Sequence, residues 1–214
     1  MQQNNNLNEI KFIEKHSILS PNKEFAPKNL KLKDKSVKFL WRELKYDETI
    51  KDSIDAICIN EELCETLTDQ ERAALGYVAT FIGNECDWDG DTKEDRSNLK
   101  CKILSALKLG YQCSDTHLGF LRQWFKNDKK SLKELENCSE IPSTATIQDS
   151  FDEINLKVKG NEITISFKAT GVNVREEESW NWEETDYFIF GNDNIQLIKK
   201  DKSKIHYEHF NNGE

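Results

Sequence analysis

The stretch Thr68–Ile82, TDQERAALGYVATFI, is the segment from which the fold is best predicted. Thr68 followed by Glu71 has the spacing of a capping box, which marks the start of a helix. Apolar residues then recur at intervals of three and four as far as Ile82, the period of a helix that is buried along one side. Small residues such as Gly76 would let another helix approach closely. The sequence therefore predicts a packed central helix.

Two more helices are predicted in NLKCKILSALKLGYQCSDTHLGFLRQWF, residues 98–125. The first runs from about Ser97 to Leu109 and is followed by Gly110, a typical residue at the end of a helix. The second follows Ser114, a good N-cap, and presents apolar side chains on one side as far as Phe125. Because the connections are short, we expect the three helices to pack as antiparallel neighbours.

The hydrophobic period changes to two after Phe151, which is typical of β-strands. Gly160 and the asparagine after it form a two-residue turn signal between two alternating segments. A third strand is expected from Trp180 to Phe190 and a fourth from Ile195 to Ile198. Residues 151–200 are therefore predicted to form a four-stranded antiparallel β-meander.

The N-terminal part is expected to complete the helical half. The segment Asp47–Ile59 has isoleucines at helical spacing and is predicted to be another helix, whereas the lysines of Lys28–Lys38 are interpreted as a solvated face. The predicted fold is α+β: an N-terminal bundle of about four helices, stapled by disulfides, followed by the meander. The expected division is a polar N-terminal arm (1–27), a helical domain (28–138), a linker (139–150), the meander (151–200) and a polar tail (201–214).

All six cysteines lie in the predicted helical domain, and an even number in one region is typical of a disulfide-bonded domain. We expect Cys58 to pair with Cys64. The other four are expected to pair among themselves, in an order that the sequence does not fix: Cys86, Cys101, Cys113 and Cys138. Such a protein would be periplasmic or secreted, and the polar start MQQNNNLNE resembles a mature N-terminus left after removal of a signal peptide. The alternative is a cytoplasmic protein with buried, reduced thiols.

The formal net charge is −9, and the excess of acidic side chains lies after residue 60. This excess disfavours nucleic-acid binding, because phosphates would be repelled. It suits a basic protein partner, although solubility alone would also account for it. No apolar run is long enough to span a bilayer. The sequence therefore predicts a protein partner, no nucleic acid and no membrane span.

Two segments could support catalysis. Asp87, Asp89 and Asp91 form the densest group of oxygen ligands and are weak candidates for calcium, although the spacing of an EF-hand loop fails. These carboxylates could instead favour the N-terminus of the next helix, so no cofactor is expected. Cys113 and His117 could meet across one helical turn as nucleophile and base, but a capped helix start explains the same residues.

The segment from Glu176 to Asp186 combines carboxylates with two tryptophans. Aromatic anchors within a charged rim are typical of protein-binding sites. The same residue types occur in sugar-cleaving sites, and core tryptophans with solvated acids are a further alternative. The predicted partner-binding residues are Glu176, Glu177, Glu178, Trp180, Trp182 and Glu184.

No glycine-rich phosphate loop and no Ser/His/Asp set at a recognised spacing is present in the sequence. The favoured function is therefore non-enzymatic: an acidic binding protein that occludes a protein partner, for instance an immunity or inhibitor protein that neutralises a bacterial toxin. One alternative is an extracytoplasmic carbohydrate- or ligand-binding module. The other is a metal-assisted or thiol hydrolase.

Overall fold

A computed structural model describes residues 32–48, 51–82, 99–138 and 147–210, and the structural statements below concern these ranges. They contain seven strands and five helices. In chain order these are β1 (Lys35–Asp47), β2 (Asp52–Ile59), α1 (Glu61–Thr66), α2 (Asp69–Thr80), α3 (Leu99–Ala106), α4 (Asp115–Trp124), α5 (Lys129–Glu136), β3 (Ile147–Lys159), β4 (Glu162–Asn173), β5 (Glu178–Phe190), β6 (Ile195–Lys202) and β7 (His206–His209).

The strands form one antiparallel sheet in the order β2-β1-β3-β4-β5-β6. Strand β4 pairs with β5 along its whole length, so β6 and β7 share the opposite side of β5. β6 pairs with Glu184–Phe190 and β7 with Glu178–Asn181. The two short strands therefore form an interrupted edge, and β7 lies in the segment that was predicted to be a polar tail.

The prediction of an N-terminal helical bundle followed by a four-stranded meander is wrong. Strands β1 and β2 come from the predicted helical domain, and β1 lies inside the sheet between β2 and β3. The segment Asp47–Ile59, predicted to be a helix, instead ends β1 and supplies β2. Strand β2 reads DSIDAICI, and its β-branched isoleucines fit a pleated strand better than a helix. The molecule is mainly a large sheet with short helices.

The helices form a layer on one face of this sheet. Helix α2 contacts α3 and α4 and also packs on β4, β5 and β6, while α3 packs on β3. On β4 the side chains of Ile163, Ile165, Phe167 and Ala169 are buried, and those between them are partly or fully exposed. This alternation is expected of an antiparallel sheet that is covered on one face only. The covered face and the helices share one hydrophobic core.

Helix α2 begins where its sequence predicts. Thr68 accepts a hydrogen bond from the backbone N–H of Glu71, and the carboxylate of Glu71 accepts one from the N–H of Thr68. Farther along, a Cβ added to Gly76 would lie 2.4 Å from a methyl carbon of Leu109. The sequence predicts the approach of a second helix here; the closest side chain is that of Leu109, which follows α3, and Leu121 of α4 lies 3.6 Å from the same point.

The cysteine pairing differs in part from the prediction. Cys113 and Cys138 form a disulfide, within the set predicted to pair, whereas Cys86 lies outside the described residues. Cys58 and Cys64 are thiols, so their predicted disulfide is wrong. Cys58 donates to Glu43 Oε1 at 3.4 Å, and burial raises the pKa of Cys64 to about 11. The chain between them starts helix α1, which leads Cys64 away from β2.

Within the described part of the chain, no helix is both long enough and apolar enough to cross a membrane.

Candidate functional site

The predicted carboxylates Glu176–Glu178 lie at the turn between β4 and β5. Asn173 at the end of β4 fixes this turn, because its Oδ1 accepts hydrogen bonds from the backbone N–H groups of Arg175 (3.2 Å) and Glu176 (3.3 Å). On the other side, the N–H of Phe210 donates to the carbonyl of Glu177 at 2.9 Å. Contacts from two strand ends therefore hold the backbone that carries the carboxylates.

Two apolar side chains accompany these carboxylates. Val174 is 56% exposed and Tyr207 is 59% exposed. Tyr207 pairs with Trp180 across β7 and β5, and their ring centroids are 6.2 Å apart. Glu176 and Glu177 are exposed and Glu178 is half-buried. We call the surface formed by Val174, Glu176–Glu178 and Tyr207 the acidic tip.

Trp180 lies behind the acidic tip and crosses the neighbouring strand. Its indole Nε1–H donates to Asp149 Oδ1 on β3 at 3.1 Å, passing over Gly171 on β4. A Cβ added to Gly171 would lie 2.1 Å from the Trp180 ring and 2.3 Å from Asp149 Oδ1. The indole therefore occupies the space that a side chain at position 171 would fill.

Trp182 and Glu184 point toward the helical layer. Trp182 is only 6% exposed, and the ammonium of Lys202 lies 4.6 Å from the centre of its ring. The side chain of Glu184 is 12% exposed, with Lys202 Nζ 4.0 Å from its Oε2. The structure thus brings Glu176, Glu177 and Glu178 together at the surface, but it places Trp182 and Glu184 in the interior.

A cavity of about 300 Å³ lies beside the C-terminal end of α2, against the covered face of the sheet. Its aromatic wall includes Phe81, Phe167, Trp180 and Trp182. Five ionisable side chains also line it: Asp149, Glu184, Asp186, Lys200 and Lys202. Only Glu184 of these five belongs to the predicted site.

Asp186 is the most buried of these ionisable groups, with 1% of its surface exposed. Burial raises its pKa to about 7 and outweighs the attraction of Lys200, while the nearby carboxylates of Glu184 and Glu134 raise the pKa further. Lys200 Nζ lies 3.8 Å from both Asp186 Oδ2 and Glu134 Oε2. The Asp186 carboxyl therefore titrates near neutral pH.

The sequence carried a signal for Asp186 that the prediction did not use. Residues 182, 184, 186 and 188 of β5 share the inward period of the strand, and two of them, Glu184 and Asp186, are charged residues between the aromatic Trp182 and Phe188. A charged residue at an inward position of a strand indicates a functional or ion-paired group. Asp149 gave no comparable signal, because its neighbours in β3 are largely polar.

The proposed thiol centre is not formed. Cys113 is in the disulfide with Cys138 and offers no thiol. His117 is fully buried, and its Nδ1 accepts the backbone N–H of Cys113 at 3.0 Å, so its Nε2–H donates to Thr80 Oγ1 at 3.0 Å. Burial, together with the charge of Lys100, lowers the pKa of His117 to about 4. His117 is a neutral structural residue.

The calcium candidates Asp87, Asp89 and Asp91 lie outside the described residues, so that hypothesis remains a prediction. In the ranges that the structure covers, no group of three His, Cys, Asp or Glu side chains is arranged to hold a metal ion. No protein-family model, no curated protein and no solved structure matches this chain.

Proposed function

We propose that this protein is a non-enzymatic binding protein that occludes a basic protein partner with its acidic tip, as an immunity or inhibitor protein does to a toxin. The observation that carries the proposal is a fixed turn that presents three carboxylates, with Val174 in the same turn and Tyr207 on the adjoining strand β7, both more than half exposed. An apolar centre with a charged rim suits protein recognition, and the carboxylates would steer a basic partner.

Trp180 supports the acidic tip in this proposal instead of contacting the partner. Its indole is held by Asp149 on one side and lies beside Tyr207 on the other. A contact surface that is already ordered loses less conformational entropy when it binds. Trp182 is buried, so the pair does not offer the flat exposed rings on which a sugar would stack. The geometry therefore favours a protein partner over a carbohydrate.

We also propose an oxidising compartment for the protein, periplasmic or extracellular. The Cys113–Cys138 disulfide supports this, because such bonds are rare in the reducing cytoplasm. The state of these two cysteines in cells can be measured by alkylation before and after reduction. Alkylation of Cys113 and Cys138 themselves in unreduced samples would contradict the proposed compartment, whereas alkylation of Cys58 and Cys64, which are thiols, is expected in either case.

The partner can be captured with a photo-cross-linking amino acid at position 207 of the full chain, followed by mass spectrometry of the adduct. We expect one discrete basic protein. The matched control carries the cross-linker at Tyr187, whose side chain lies on the sheet face opposite the helices and beside Lys199. The same adduct from both positions would show non-specific capture and would contradict the proposed surface.

The captured partner then permits a quantitative test. Replacing Glu176, Glu177 and Glu178 by lysine should weaken its affinity at least about tenfold, because attraction becomes repulsion at three positions. The control replaces three exposed helical glutamates by lysine: Glu62, Glu65 and Glu136. Both variants change the net charge equally. Equal affinities for the two variants would show that bulk charge, and not the acidic tip, binds the partner.

A further inference from the structure

We propose that the cavity beside α2 is a binding site for a small zwitterion of the amino-acid type. Lys200 and Lys202 on β6 would bind its carboxylate, and Asp149 on β3 would bind its ammonium group. This site goes beyond the proposed protein partner, since it lies on the covered face of the sheet behind the acidic tip.

The two lysines are placed to bind a carboxylate. They are two positions apart in β6, so their side chains lie on the same face of the strand, and both line the cavity. Lys200 Nζ is 3.8 Å from Asp186 Oδ2, and Lys202 Nζ is 4.0 Å from Glu184 Oε2. These separations exceed a hydrogen bond, which spans roughly 2.7–3.2 Å. Both ammonium groups therefore keep hydrogen-bonding capacity that a ligand oxygen can use.

Two buried polar atoms of the cavity-lining residues also have no partner within the described chain. They are Asp186 Oδ1 and the indole Nε1 of Trp182, in side chains that are 1% and 6% exposed. Buried polar groups in folded proteins are almost always hydrogen-bonded, and exceptions point to a missing water, ion or ligand. Both atoms belong to residues that line the cavity, so one acceptor and one donor lie close to any molecule bound there.

The charges select a zwitterion over a simple ion. Three carboxyl groups and two ammonium groups line the cavity, and the pKa of Asp186 near 7 brings their sum close to zero at neutral pH. A lone anion would occupy only the lysine end of the cavity, on β6, and a lone cation only the Asp149 end, on β3. Only a ligand that carries both charges finds opposite charge at each end.

The remaining walls fit an apolar side chain. Phe81, Ile82 and Phe167 line the cavity together with Trp180. Its volume of about 300 Å³ is at the small end of the range for ligand sites. We therefore expect an amino acid with an apolar side chain to bind better than glycine.

The first experiment titrates the ¹⁵N-labelled full chain with L-leucine and follows the indole N–H resonances of Trp180 and Trp182. Two matched probes remove one charge each: 3-methylbutylamine lacks the carboxylate and 4-methylpentanoate lacks the ammonium group. We expect saturable shifts of both resonances with L-leucine and about tenfold weaker binding of each probe. Equal binding of either probe, or no shift with leucine at millimolar concentration, would overturn the proposal.

The second experiment measures leucine affinity in Lys200→Met and Lys202→Met. We expect a loss of about tenfold in each, because a charge-assisted hydrogen bond is removed while the aliphatic stem is kept. Lys199→Met is the matched control. Lys199 precedes Lys200 in β6, so its side chain lies on the opposite face of the strand, near Tyr187 and Asp201 and not at the cavity. Unchanged affinity in both test variants would show that the two lysines do not bind the carboxylate of leucine.

The variant in which lysine replaces Glu176, Glu177 and Glu178 should bind leucine as the wild-type protein does. This result would show that the cavity and the acidic tip are separate sites.

Discussion

Gly171 is a single residue on which the geometry behind the acidic tip depends. It lies between Asp149 and Trp180 in the sheet register, and its missing side chain is the space through which the indole reaches the carboxylate. Its neighbours are the Trp180 ring and the Asp149 carboxylate, which hold each other by a hydrogen bond and cannot yield easily in a packed sheet. A single methyl group at this position would therefore disturb three strands.

Gly171→Ala should destabilise the protein by about 2–3 kcal/mol, because overpacking is added to the loss of the Trp180–Asp149 hydrogen bond. Urea unfolding measures the free energy, and the Trp180 indole resonance reports the lost bond. Gly119→Ala is the control: Gly119 lies within α4 and a Cβ there would meet nothing within 4 Å. This control should gain about 0.5–1 kcal/mol. Equal effects at both positions would contradict the account.

Asp186 makes the stability of the protein depend on pH. Its pKa is 3.8 in an ordinary setting and about 7 in the fold, so the folded state binds more protons than the unfolded state between these values. Stability contributed by the protonated carboxyl is therefore complete at low pH and is lost as the pH rises through 7.

Asp186→Asn should remove this dependence. The free energy of unfolding of the wild-type protein relative to the variant should fall by roughly 2–3 kcal/mol between about pH 5 and about pH 8. Urea unfolding of both proteins across this range is the measurement. A constant difference between them would show that Asp186 keeps the same protonation state in the folded and unfolded chains.

Single residues show what the sequence could predict about the site. The alternation in β5 correctly predicts that Trp180 and Trp182 share a face with Phe188 and Phe190, but it does not tell which face is covered. That depends on where the helices pack. Trp182 is therefore buried although it was predicted as a contact residue, and the cavity-lining lysines of β6 were missed because the predicted fourth strand ended before them.

Among the elements, α2 is joined to the sheet at its first turn. The carboxylate of Glu71 completes the cap of α2 and also forms an ion pair with Lys35 on β1, with Nζ 2.8 Å from Oε1. Glu71 is 1% exposed, so the lysine is important for offsetting a buried negative charge. This contact helps to set the position of the helical layer over the sheet.

Lys35→Met should cost about 2 kcal/mol, because it leaves the Glu71 carboxylate buried without its cation. The control is Lys38→Met on the same strand, whose partner Glu153 is exposed enough for solvent to screen the pair. That variant should change the free energy of unfolding by less than about 1 kcal/mol. Adding Glu71→Gln to Lys35→Met should recover part of the lost free energy of unfolding. No recovery would show that the loss does not come from the unpaired charge of Glu71.

The elements themselves differed in how well they could be predicted. Helices α2 and α4 start at Thr68 and Ser114 as predicted, because a cap is a local interaction within three residues. The hairpin turn at Gly160 was predicted for the same reason. Strands β1 and β2 were not, since β1 is fixed by β3, which lies far along the chain. A period read over a dozen residues contains no information about such a partner.

For the whole molecule, the Cys113–Cys138 disulfide ties the start of α4 to the end of α5, and its cysteines are 25 positions apart in the sequence. Closing a loop of this length in the unfolded chain stabilises a protein by about 3–4 kcal/mol. The reduced protein should unfold at correspondingly lower urea concentration. Cys64→Ser is the control and should respond to reductant as the wild-type protein does. An unchanged midpoint after reduction would contradict this contribution.

The place of β1 beside β3 has a consequence for biosynthesis. A ribosome finishes β1 and β2 long before it makes β3, so the inner edge of β1 has no neighbouring strand while helices α1 to α5 are made. Such an edge invites pairing with other nascent chains. A truncation that stops after Cys138 should consequently accumulate in aggregates even though each of its helices is complete.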